Sequence, residues 1–119
     1  MKNMVVIALI AFGLAACDDP GEGPRFEAGR KKAELVLAAI QEYRSDVGRY
    51  PASLDDLAPK YLRKKDLGEH VPGRSIAFYY EPYPEGSFLF EFAYTGPGRN
   101  RCEYVPDSKP TKWSCLGYY

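Results

Sequence analysis

Apolar positions change their spacing once along the chain, near residue 74, and the two periods separate a helical half from a strand half. Ala33, Val36, Ile40, Tyr43 and Val47 recur at steps of three and four, which makes one stripe on a helix. Leu35, Leu37, Ala38 and Ala39 widen the stripe, so this helix, expected from Ala28 onward, must lie against another layer. Gly48 suits its C-terminal end, and Pro51 biases Tyr50 away from helical dihedrals. Ser53 then reads as the N-cap of a second, short helix with Leu54, Leu57 and Leu62 on its buried side. From Arg74 the period is two. Residues 75–80 place Ile76, Phe78 and Tyr80 on one face. Residues 87–95 alternate Phe88, Phe90, Phe92 and Tyr94 against Leu89, Glu91 and Ala93. Residues 101–105 and 112–118 make a third and a fourth strand, and Gly- or Pro-rich turns lie between successive strands. Loops this short connect antiparallel neighbours. The expected fold is therefore α+β: a long N-terminal helix and a short helix packed on a four-stranded antiparallel meander sheet, with the aromatic strand face covering the helix stripe.

The first residues follow neither period. Lys2 precedes an apolar run over residues 4–14, and Leu14-Ala15-Ala16-Cys17 closes it. A basic start, a short apolar core and small residues at its end describe a secretory signal, too short to span a bilayer comfortably. The closing tetrapeptide resembles the bacterial lipobox, in which the Cys is acylated and becomes the first mature residue. That resemblance implies a signal peptide over residues 1–16 and a lipid anchor, such as palmitate, on Cys17. Asp18 resembles the inner-membrane retention signal of lipoproteins from enteric-type bacteria. It points to a lipid-anchored protein on the periplasmic face, in the inner membrane rather than the outer. Residues 18–25 are polar and rich in Gly and Pro, so residues 17–27 read as the lipidated Cys and a flexible tether of short reach.

The chain has 119 residues, room for one domain, expected over residues 28–119. Basic and acidic residues balance at 16 each, and removing residues 1–16 takes away Lys2 alone among them. A near-neutral chain gives no electrostatic case for nucleic acid. Arg25, Arg30, Lys31 and Lys32 gather near the helix start, as contacts for anionic headgroups or as a solvated face. Cys102 and Cys115 fall on the last two strands, and in an exported chain two such cysteines pair as a disulfide. His70, the single histidine, has no partner in sequence for a metal site. Asp55 and Asp56 read as helix-start carboxylates, and Ser114 has no base in view. No catalytic residue, metal or cofactor is expected.

The stretch Tyr43-Arg-Ser-Asp-Val-Gly-Arg-Tyr-Pro-Ala-Ser-Leu-Asp-Asp-Leu57, set between the long helix and antiparallel strands, resembles the globular part of type II secretion major pseudopilins and related type IV pilin-like proteins. A disulfide near the C-terminus is similar to the closed terminal loop of many type IV pilins. The resemblance implies a pilin-like domain from about Ala28 to the end. It does not carry over filament assembly, because a lipobox and tether replace the apolar stem. Nor does it carry over the calcium loop, since Asp107 and Ser108 are nearly the only oxygen ligands there. Two functions compete. One is a non-catalytic module that contacts an envelope or secretion protein. The other is a small periplasmic lipoprotein that inhibits a hydrolase or assists envelope assembly. The candidate partner contacts are Tyr79, Tyr83, Tyr118 and Tyr119, at alternating or terminal positions and of a type enriched at interfaces.

Overall fold

The first long helix, α1 (Gly23–Val47), begins ahead of the expected Ala28. The computed structural model describes residues 19–67, 76–95, 98–106 and 112–118. Pro24 stands in the first turn of α1, where its fixed φ is already helical and its missing N–H has no intrahelical partner to lose. Phe26 is buried, its ring 6.0 Å from Phe92 and 6.1 Å from Tyr94. Burying such a side chain contributes about 1.5–3 kcal/mol. That outweighs the few tenths by which cations near a helix start oppose the dipole. Residues 23–27, expected in the tether, are therefore the first turn of the helix. Gly48 ends it with φ 88°, a conformation that disfavours any side chain, and its N–H donates to Arg44 O at 2.9 Å.

Ala33, Val36, Leu37, Ala39 and Ile40 form the buried face of α1. The stripe is narrower than its sequence: Leu35 and Val47 are about half exposed. Leu35 sits about 100° round the helix from Val36, off the face that meets the sheet. After α1 come two 3-10 turns, Leu54–Leu57 and Lys64–Leu67. The first replaces the expected short helix. Ser53 does stand at its N-cap, its backbone N–H donating to Asp56 Oδ2 at 3.3 Å, and Leu57 and Leu62 are buried. The turn stops early because Pro59 lacks an N–H and pushes Ala58 to an extended conformation.

Four strands follow: β1 (Ala77–Pro82), β2 (Phe88–Thr95), β3 (Arg99–Tyr104) and β4 (Trp113–Tyr118). They form one antiparallel sheet in the order β1-β2-β3-β4. Pro82 closes β1, which is an edge strand and so tolerates a residue without a donor. The inner face carries Phe78, Phe92, Cys102 and Cys115 in one register row, with Phe90, Tyr94 and Trp113 alongside. Phe90 and Phe92 are fully buried under α1. Cys102 and Cys115 form a disulfide across the row, their Cα atoms 4.1 Å apart. Helix and sheet approach closely at Gly29, where an added Cβ would lie 2.9 Å from the Phe92 ring.

Candidate interaction surface

Alternation along each strand assigns the residues of the opposite sheet face, which α1 does not cover. Tyr79, Glu91, Glu103 and Ser114 make one row across it, and Ala77, Ala93, Arg101 and Leu116 the next. Tyr79 is 53% exposed and Leu116 59% exposed, while Arg101 reaches Glu91 at 3.7 Å. The face mixes apolar surface with charges of both signs.

Tyr79 donates to Glu81 Oε2 at 3.2 Å. That hydrogen bond and the carboxylate charge raise the phenol pKa, so Tyr79 presents a neutral, hydrogen-bonding ring. Tyr83 is also exposed, and it is held in the β1–β2 turn by backbone bonds from its N–H to Ser87 O and from Gly86 N–H to its carbonyl. Tyr118 on β4 pairs by backbone register with Arg99 on β3, and Tyr119 lies outside the described residues. Tyr79 and Tyr118 sit on opposite edge strands of the sheet, separated by roughly 14 Å across the strands alone. The structure thus joins Tyr79 and Tyr83 on one edge and does not bring Tyr118 to them. Leu116 is an exposed apolar residue of this face that sequence reasoning missed. Its signal lay in the alternation of β4, where the buried Trp113 forces Leu116 to the open side.

The remaining tyrosines are structural. Tyr80 donates to Pro51 O at 2.7 Å and ties β1 to the segment after α1. Burial, reinforced by Tyr50, Asp56 and Tyr43, pushes its phenol up to about 12. Tyr50 meets Phe88 edge-on at 4.7 Å and carries the Arg44 guanidinium on its ring, also at 4.7 Å. Among the described residues, two concave regions lie beside the sheet. One is floored by Leu35, Ile76 and Phe78 and rimmed by Lys32 and Lys65, with Arg63 and Asp66 paired at 2.8 Å. The other lies beside Phe26 and Trp113, where Trp113 Nε1–H donates to Glu34 Oε1 at 3.1 Å.

Of the basic group at the helix start, Arg25 donates to Thr95 O at 3.3 Å and Arg30 pairs with Glu27 at 2.6 Å. Lys31 and Lys32 are exposed. Among the described residues no three His, Cys, Asp or Glu side chains are grouped as metal ligands. No helix among them is long and apolar enough to cross a membrane. Cys17, His70, Asp107 and Ser108 lie outside the described residues. The chain matches no known protein family, no curated protein and no solved structure with which it was compared.

Proposed function

We propose that the chain is a lipoprotein held on the periplasmic face of the cell membrane by acylated Cys17. There it acts as a non-catalytic, pilin-like module that docks an envelope or secretion protein. The observation that carries this reading is Leu14-Ala15-Ala16-Cys17, placed directly at the end of the apolar run. Several acyl chains on one residue give a stable anchor, each buried methylene contributing about 0.8 kcal/mol. Asp18 assigns the inner membrane by its resemblance to the retention signal. The order of long helix, Gly48-Arg49-Tyr50-Pro51 bend, capped turn and antiparallel meander supports kinship with pseudopilin globular domains. The uncovered sheet face offers Tyr79 and Leu116 as apolar anchors among charges, a composition suited to a protein partner.

Metabolic labelling with a fatty-acid probe tests the anchor. The wild-type protein takes up label and Cys17→Ser does not; label retained by Cys17→Ser would remove the lipobox reading.

A further inference from the structure

Lipoprotein tethers act as leashes only where the chain after the acylated Cys is free. Here the described chain is docked from its first residues. Glu22 N–H donates to Asp19 O at 3.0 Å, and Gly21 N–H donates to the Tyr94 hydroxyl at 3.1 Å. Pro20 lies so close over Gly117 that a Cβ there would come within 2.6 Å of its ring. Gly21, at φ +85°, leaves only 3.2 Å between its own Cβ position and Cys115 Sγ. Only Asp18 separates this docked segment from Cys17, a reach of about 7 Å at full extension. The leash is almost absent.

Pro20 and Gly21 mark one end of the molecule. The start of α1, the end of β2 at Thr95, the start of β3 at Arg99 and the end of β4 all converge there. From this end α1 runs about 37 Å to the Gly48 bend. Charges of both signs stand at this end. On the outer sheet face Arg99 stands at the tethered end, and Arg101, one row in, pairs with Glu91 at 3.7 Å. Arg25 adds a cation at the tethered end, against the acids Asp19 and Glu22.

We infer that the acylated protein stands end-on upon the bilayer, held there by the short reach from Cys17 to the docked Pro20–Gly21 end. The Pro20–Thr95–Arg99 end rests at the headgroups, and the β1–β2 turn with Tyr83 is held about 25–30 Å above them, the length of β2. The inference rests on acylation of Cys17. It makes the domain a short rigid post rather than a module on a string, so a partner must meet Tyr79 and Tyr83 at a set height.

Energy transfer measures that height. The lipidated protein, purified from membranes, is placed in phosphatidylethanolamine–phosphatidylglycerol vesicles that contain an acceptor-labelled headgroup. A donor is attached through Thr95→Cys or through Ser87→Cys, both exposed and at opposite ends. The expected result is transfer several-fold stronger from position 95 than from 87. Equal transfer in vesicle-bound protein would overturn the end-on placement and leave acylation intact. Protein that fails to float with vesicles would overturn both. Ten Gly-Ser residues inserted before Asp19 add roughly 17 Å of reach. They should bring the two signals together without releasing the protein. A ratio unchanged by the insertion would overturn the short tether as its cause.

Discussion

Tyr80 shows what a single side chain contributes when its hydroxyl is placed against a buried carbonyl. Its bond to Pro51 O fixes the edge strand to the segment leaving α1, and burial holds its phenol at about 12. Because the folded pKa lies above the unfolded value near 10, the folded chain keeps this proton while the unfolded chain loses it. The associated stability is present in full below pH 10 and is lost as pH rises from about 10 to about 12. Tyr80 is partly exposed, and after discounting for solvent screening the loss is about 1 kcal/mol. Tyr80→Phe should be less stable at neutral pH by about 1 kcal/mol, the value of one hydrogen bond. Its stability should also fall less steeply than that of the wild type between pH 10 and 12. Urea titrations of both proteins across that window measure the difference. Parallel pH profiles would show that another tyrosine carries the effect.

Elements β3 and β4 depend on a covalent tie more than the rest of the sheet. β2 lies centrally and carries Phe90 and Phe92 into the core, whereas β4 is an edge strand. The Cys102–Cys115 bond closes a loop with a sequence separation of 13, and for a loop of that size the chain-entropy account gives about 3 kcal/mol. Reduction of the disulfide should therefore lower the urea midpoint by a shift equivalent to about 3 kcal/mol. It should also reduce exchange protection in β4 before that in β2. Uniform loss of protection across all four strands would show that the sheet opens as a single unit. The 3-10 turn at Leu54–Leu57 relies on a weaker device, the bond from Ser53 N–H to the Asp56 carboxylate, with Leu57 buried beneath it.

At the scale of the whole molecule, the covered and uncovered faces decide how it meets other proteins. The apolar stripe of α1 is spent on Phe90, Phe92 and Trp113 and is not available to neighbouring copies. The open sheet face has scattered apolar groups, Tyr79 and Leu116, among Glu91, Glu103 and Arg101. A photo-crosslinking residue at position 79 or 116 in native membranes should therefore yield one discrete adduct with another protein. Tyr79→Ala and Leu116→Ser should weaken that adduct and change stability by no more than about 0.5 kcal/mol, since neither side chain is in the core. A ladder of regularly increasing self-multimers would mean that the protein polymerises instead.

Period alone determined the two halves and the inward aromatic face of β2, because hydrophobic spacing reports which side of an element is buried, and the identities of Gly48 and Pro51 determined the helix break. The pairing of Cys102 with Cys115 was legible for a related reason, two cysteines on strands that a short turn brings together. Local sequence could not place the start of α1. Residues 18–25 have the composition of a linker, yet Phe26 gains its burial from Phe92 and Tyr94, more than sixty residues away. The same distant contacts dock Pro20 and Gly21 on β4 and turn an expected leash into part of the folded end. The exposure of Leu35 and Leu116 also came from tertiary structure. An apolar residue is buried only where another layer reaches it, and α1 meets one face of one sheet.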